Sequence, residues 1–379
     1  MRIAIVTETF LPSTDGIVTR LTASIQHYLK AGHEVTILAP DLGISQFGDA
    51  RIQGLPTSTL PFYRTKRFAL PSRKVGMLLK EYAPDIVHVV NPALLGAAGI
   101  YYAKKLRIPL LASYHTNLSR YLDFYGLPFM RGLLWLYLRL LHNRASINLC
   151  TSRTVREELV HRKFRNVKLW GRGVDSQLFH PDRYDASVRK RLSQGFPDKR
   201  ILLYVGRLAA EKEIEKIRDI FDASDQFVLV IVGDGPHRGA LENHFAGTAT
   251  LFTGFLYGQE LAAAFASSDV FVFPSTTETL GLVLLEAMAS GLPVVAARSG
   301  PTCEQIQHES TGYLFDPADP DGFIAAVRRF EDKRTRDAMS AAAYQESLGK
   351  GWKEVAEQAL DYYRQTAKKG NDRDEWRMP

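Results

Sequence analysis

Two glutamates, Glu278 and Glu286, stand eight positions apart in "FVFPSTTETLGLVLLEAMASGLPVV" (residues 271–295), a stretch otherwise suited to burial. A glutamate is almost never wholly buried unless paired, and an unpaired carboxylate in a dry core is costly enough to take up a proton. Each acid therefore needs a partner, either a cation of the protein or a ligand. Gly281 is a poor residue for a helix interior and a good one at which to begin a helix. That puts Glu278 in the loop and Glu286 on the helix, with the free N–H groups of the helix N-terminus, a site suited to phosphate, between them. A carboxylate accepts two hydrogen bonds, so Glu286 suits the paired hydroxyls of a ribose and Glu278 a sugar hydroxyl. A salt-bridged core acid is the other reading of Glu286.

Arg207 and Lys212, in "GRLAAEK", follow an apolar run of the same half of the chain. Charge-assisted bonds of about 1.5–3 kcal/mol each would let them hold a diphosphate without a metal; solvated surface cations are the alternative. His115 follows another apolar run and precedes Thr116 and Asn117, which suits a sugar-facing role or a satisfied structural histidine. The pairs Asp319/Asp321 and Asp372/Asp374 lie in a proline-rich turn and near the C-terminus, and no His/Cys cluster has ligand spacing, so no metal site is expected. After the first strand comes "TETFLPSTDG" in place of Gly-x-Gly-x-x-Gly. Hydride transfer from NAD thus loses its usual phosphate cradle. Gly16 remains to let backbone approach a phosphate where the first helix begins.

The elements that must position these residues alternate. "RIAIVTE", "EVTILAP", "DIVHVV", "PLLASYH" and "SINLCTS" read as buried parallel strands. "ILLYVGR", "FVLVIVG", "ATLFTG", "VFVFPS" and "PVVAARS" repeat the theme, with amphipathic helices between, as in "GIVTRLTASIQHYLKAG". The fold class is α/β, two Rossmann-like parallel-sheet domains facing each other across a cleft, with ligands beyond the carboxyl ends of the strands. A polar, proline-bearing stretch sets the boundary within residues 175–200. The domains are 1–185 and 186–350, followed by a helix over 351–367 and a charged tail, 368–379, expected to be disordered.

Two cysteines among 379 residues make no disulfide framework, which points to a reducing, cytoplasmic compartment. "MRIAIVTETF" reads as a strand and not as a signal peptide. No apolar run has the roughly 18 residues of a spanning helix. Residues 1–185 carry 25 Lys/Arg against 13 Asp/Glu, and residues 186–379 carry 23 against 28. The basic half invites an anionic partner such as nucleic acid, anionic lipid or an acidic substrate. Nucleic acid is disfavoured, because no docking motif accompanies the cations.

Taken in order, "GRLAAEK", "VGDGP", "FTGFL" and "FPSTTETLGLVLLEAMASGLPVVAA" resemble glycosyltransferase family 4, retaining enzymes of GT-B fold. "TETFLPSTDGIVTRL", "DIVHVVNPALLG", "LLASYHTNLSRYLDFYG", "LCTSRTVREEL" and "RGVDSQLFHP" bring the likeness nearest to the sulfolipid synthases (sulfoquinovosyl transferases) of cyanobacteria and plants. The resemblance implies transfer of sulfoquinovose from UDP-sulfoquinovose to diacylglycerol, with retention and without a cofactor. It implies that Arg207 and Lys212 hold the diphosphate, Glu286 the ribose, and Glu278 with the backbone of Thr279, Leu280 and Gly281 the sugar. It places His115 on the donor sugar, Gly16 against the phosphates, and the loops of Gly233 and Phe255 around the base. It makes 1–185 the acceptor side and 186–350 the nucleotide-sugar side, and sends the C-terminal helix back onto the first domain. One departure is "SGPTCEQ", where the family reads Gly-Gly-x-Pro-Asp/Glu; it removes a backbone donor at Pro301 and alters the loop 299–304.

A lipid acceptor implies peripheral contact with an anionic membrane, on the cytoplasmic face of a thylakoid or plasma membrane. "LPFMRGLLWLYLRLLHNRA" (127–145) and "RTKRFALPSRK" (64–74) could supply it; a core helix with a basic outer face is the alternative for the first. Arg20 and Arg172 are candidates for a sulfonate. Glucosyl or mannosyl transfer from a UDP- or GDP-sugar to a lipid stays open, as does a nucleotide-sugar epimerase of the same form.

Overall fold

The computed structural model describes all residues except 14, 61–62, 117–127, 320 and 376–379, and except the side chains of 60–66 and 369–375. Several expectations fall there: the stretch after Thr116, the side chains of Arg64 and Lys66, and those of Asp372 and Asp374. The chain divides into two compact units, Met1–Arg172 with Trp352–Pro379, and Gly173–Gly351.

In the first unit, β1 (Arg2–Thr7), β2 (Glu34–Pro40), β3 (Gln46–Phe47) and β4 (Ala50–Leu55) share one sheet with four later strands, while β5 (Thr57–Leu60) and β6 (Tyr63–Ala69) form a separate antiparallel pair. The later strands are β7 (Ile86–Val90), β8 (Leu110–Tyr114), β9 (Ile147–Cys150) and β10 (Val167–Leu169). Their order is β10-β9-β8-β7-β1-β2-β4-β3, all parallel except β3 against β4. Alternate residues of β1 serve the two faces, as the strand period of two requires. Ile3 and Ile5 pack with Leu21 and Ile25 of the first helix (Gly16–Lys30), whereas Ala4 and Val6 pack with Val75 and Leu79 of the helix Arg73–Tyr82.

The C-terminal helix (Trp352–Glu375) returns to this unit. Its Val355, Ala356, Ala359, Leu360 and Tyr363 recur at helical spacing and join the core of Ile3 and Ile5. The Trp170 indole donates to the Val355 carbonyl at 3.0 Å, and the Gly171 N–H to Gln358 at 2.7 Å. The helix does not end at 367 but runs on to Glu375, so the expected tail is helical over most of its length.

The second unit carries β11 (Arg200–Val205), β12 (Phe227–Val232), β13 (Thr250–Gly254), β14 (Val270–Phe273), β15 (Val294–Ala297) and β16 (Gly312–Phe315). They are all parallel, in the order β13-β12-β11-β14-β15-β16. The units divide at Arg172/Gly173, earlier than the expected boundary at 185. Residues 174–192 look like linker because they are polar and contain proline, yet Val174, Phe179 and Leu192 belong to the second unit's core. Phe179 meets Phe265 edge-to-face at 5.5 Å.

Candidate functional site

In the second sheet the strand order reverses between β11 and β14. Open parallel sheets leave a ligand crevice beyond the carboxyl ends of the strands at such a point. The loop 206–212 leaves one of these strands and the loop 274–281 leaves the other. The Ser275 and Thr277 hydroxyls donate to the Glu211 carbonyl at 3.4 and 3.1 Å, which stitches the loops together. Lys212 then reaches the Glu278 carboxylate at 3.1 Å. The other carboxylate oxygen accepts the N–H groups of Thr279, Leu280 and Gly281 at 3.0, 3.1 and 3.2 Å. Burial raises the Glu278 pKa, but Lys212 and the backbone N–H groups outweigh it and hold the group at about 2. Glu278 is therefore an ion with its counter-ion inside the protein.

Arg207 is likewise paired, with Glu211. Glu211 was missed in the sequence: an acid four residues after Arg207 was available as a signal, but a charged loop residue reads as solvated. Both cations expected on a diphosphate thus face acids of their own unit. The three backbone donors expected on the sugar turn into the Glu278 carboxylate. The helix begins at Leu282, with Gly281 as its N-cap at φ +64°. A Cβ at Gly281 would lie 2.7 Å from the Gln305 amide nitrogen, so backbone conformation and space both demand glycine.

Glu286 differs. It is half-buried, and among the described residues no hydrogen bond or ion pair reaches its carboxylate. Burial pushes its pKa up to about 7. Of the two acids, Glu286 is the one whose partner is not found among the described residues.

Gly233 has a local reason too. At φ +129° it packs so closely on the strand-end loop that a Cβ would lie 2.0 Å from the Gly206 carbonyl, so it supports the backbone that carries Arg207. Phe255 is 52% exposed and stacks on Tyr257 with ring centroids 5.9 Å apart, an aromatic platform of the kind a base can cover. In the altered loop, Ser299 and Thr302 form a capping box at the short helix Gly300–Cys303. Pro301 lies in its first turn, where the lost N–H would have no helical partner. Gln305 donates to the Leu280 carbonyl at 3.2 Å and so braces the Glu278 turn.

In the first unit, Gly16 opens the first helix, but the Asp15 carboxylate accepts the N–H groups of Ile17 and Val18 at 3.0 and 3.1 Å. An acid already caps the end where a phosphate was expected. His115 follows β8 and is buried; its Nε2 meets the Ser113 hydroxyl at 2.9 Å and its backbone N–H donates to the Asn91 side-chain oxygen at 3.2 Å. Burial first, and then Arg20, keep its pKa well below the usual histidine range, so the ring is neutral.

Arg20 has 0% exposure. Its guanidinium stacks over the Trp170 ring at 4.3 Å and donates to the carbonyls of Trp170 and Gly171. Burial and the neighbouring Arg172 lower its pKa to about 9. Enclosed in this way, Arg20 braces the segment 170–172 and does not present a donor at a surface, which corrects its reading as a direct sulfonate contact. Arg172 is partly exposed.

A family model described as "Glycosyltransferase Family 4" matches residues 14–178, and one described as "Glycosyl transferases group 1" matches residues 189–346. The chain is 35% identical over 347 residues to the sulfoquinovosyl transferase SQD2 of Arabidopsis thaliana, covering 89% of this chain and 68% of that protein. It is 36% identical over 375 residues to a GDP-mannose-dependent alpha-mannosyltransferase of Mycobacterium tuberculosis, covering 96% of each. Among solved structures, Anabaena HepE in complex with UDP and glucose superposes with a TM-score of 0.78 at 18% identity, covering 96% of this chain and 100% of that one; at that identity the likeness concerns the fold.

Proposed function

Because this chain belongs to the family 4, group 1 glycosyltransferases of GT-B fold, we propose that it moves sulfoquinovose from UDP-sulfoquinovose to diacylglycerol with retention of configuration. The single observation that carries the chemistry is the Lys212–Glu278 pair at the sheet's switch point. It supports the reading by setting a cation beside a helix start at the strand ends, where this reading puts the leaving diphosphate. The sugar assignment draws on the likeness to a sulfoquinovosyl transferase.

In this reading the bond from the anomeric carbon to the UDP oxygen breaks as the lipid hydroxyl oxygen bonds on the same face. The hydroxyl proton passes to the departing phosphate oxygen. Lys212 and Arg207 exchange their acidic partners for the diphosphate and stabilise its growing charge. Glu286 takes the ribose hydroxyls, and His115 meets the donor sugar as a neutral imidazole. Phe255 lies along the base, and no cofactor takes part. The second reading is mannosyl transfer from GDP-mannose, favoured by the full-length likeness to a mannosyltransferase. Product analysis with diacylglycerol vesicles and UDP-sulfoquinovose, UDP-glucose or GDP-mannose, side by side, separates them. Sulfoquinovosyldiacylglycerol is expected; a mannolipid with no sulfolipid overturns the first reading.

The helix Arg131–His142 supports a membrane-borne acceptor. Trp135, Leu138 and Leu141 pack inward, yet Leu133, Leu136 and Leu140 are exposed along another face, and Phe129 beside them is 79% exposed. That exposure supports membrane contact over a plain core helix with a basic outer face. Arg131 and Arg139 lie on the same helix and Arg144 just beyond its end. No described helix is long and apolar enough to cross a membrane. We expect sedimentation with anionic vesicles that weakens with salt, at about 1 kcal/mol per cation near the surface. Leu133→Glu with Leu136→Glu is expected to weaken it by about 100-fold, since each buried leucine contributes about 1.5–3 kcal/mol. Equal sedimentation of the double variant would remove this helix from the contact.

A further inference from the structure

Lys212 stands between two anchors that tie its loop to the neighbouring one. On one side, the Glu211 carbonyl accepts the Ser275 and Thr277 hydroxyls. On the other, one oxygen of the Glu213 carboxylate accepts the Thr276 hydroxyl at 2.9 Å and the Thr276 backbone N–H at 3.3 Å, while the second accepts Lys216 at 2.7 Å. Three consecutive residues of the loop after β14 thus grip both neighbours of Lys212. Glu213 also ends the short turn Ala210–Lys212, and its φ is +54°. That conformation suits glycine and strains a residue with a Cβ. The backbone therefore gives no reason for a glutamate here; the contacts of its carboxylate do.

We propose that Glu213 is a positioning residue for Lys212: it holds the lysine backbone at the strand ends while the lysine side chain leaves Glu278 for a diphosphate. The inference rests on the reading of Lys212 as the diphosphate cation. In that reading the 3.1 Å bond from Lys212 to Glu278 cannot also fasten the loops, because it is given up when the donor binds. The Glu213–Thr276 clamp lies outside that exchange. The Glu213 side chain is only 22% exposed and already has Thr276 and Lys216 as partners, so it does not compete with the donor for Lys212. A cation whose backbone is fixed beforehand needs little reorganisation as charge grows on the leaving group. A plain surface pair between Glu213 and Lys216, three residues apart, would have no part in turnover.

The test measures turnover of the full chain with UDP-sulfoquinovose and diacylglycerol vesicles. Beside it, calorimetry with UDP and with GDP reads the diphosphate contact whichever sugar is transferred. Glu213→Gly should fold, because glycine adopts the φ of +54° without strain. It should nevertheless lose about tenfold in kcat and in nucleoside diphosphate affinity, the scale of a charged group shifted and not removed. Glu213→Gln, which keeps an acceptor for Thr276, should return to within about threefold of the wild type. In a Lys212→Ala background, Glu213→Gly should add no more than about twofold, since a residue that acts through Lys212 then has nothing to position. Wild-type turnover and affinity in folded Glu213→Gly overturn the proposal, as does the same loss repeated on top of Lys212→Ala. Undiminished turnover and affinity in Lys212→Ala would sink the diphosphate reading and this proposal with it. A loss in Lys212→Ala with none in Glu213→Gly sinks the proposal alone.

Discussion

Replacing Lys212 by alanine is expected to lower kcat by about two to three orders of magnitude, the cost of removing one pre-placed donor to charge that grows in the transition state. The effect should exceed that of Arg207→Ala. Lys212 is mostly buried, where its charge is weakly screened, while the Arg207 side chain is more than a third exposed and tied to Glu211. Folding should survive, because the three N–H groups that hold Glu278 remain. The same variant carries a pH signature. The Glu278 pKa is depressed to about 2 from 4.5, so its contribution to stability is present above pH about 4.5 and is lost as pH falls through about 2. Without Lys212 that acid-side slope should flatten. Turnover at saturating donor, read beside thermal melts from pH 2 to 7, checks both parts; undiminished turnover in a folded protein would defeat the role given to Lys212.

Glu286→Gln should raise the donor KM by about 10- to 100-fold, the equivalent of about 1–3 kcal/mol for one lost charge-assisted acceptor. A carboxylate can take both hydroxyls of a vicinal diol, whereas an amide offers one acceptor oxygen. The variant should also be more stable than the wild type at neutral and alkaline pH. The Glu286 pKa is raised from 4.5 to about 7 in the folded chain. Between those values the folded state holds a proton that the unfolded state has released, so wild-type stability falls as pH rises through this window. Above it the accumulated cost approaches about 3 kcal/mol, which the uncharged amide does not incur; near pH 4 the two proteins should match. Donor titrations and chemical denaturation at pH 4, 6 and 8 provide the comparison. An unchanged KM, or a variant less stable at pH 8, would mean that the acid has a partner in the fold after all.

Much of this was legible in one dimension. The alternation of β-branched runs with amphipathic ones fixes two parallel sheets, because a strand buried on both faces and a helix buried on one leave different periods in a sequence. The ends of those runs locate Arg207, Lys212, His115 and Glu278, and Gly281 marks the start of a helix. Other elements were hidden for local reasons. β4 is polar at Arg51 and Gln53 and interrupted by Gly54, and residues 174–192 look like a linker although Phe179 is core.

What the one-dimensional pattern could not decide is which charged group meets which. Glu278 and Glu286 look alike along the chain, yet only Glu278 lies opposite a lysine, 66 residues away, because β14 happens to run beside β11. Arg20 looks like a surface arginine, and only the return of the segment 170–172 encloses it. Tyr363 and His88 meet across 275 residues because the last helix folds back on the first sheet. Local propensity is set within a few residues, whereas burial and counter-ions are set by strand order and helix docking, which act between segments far apart in the chain.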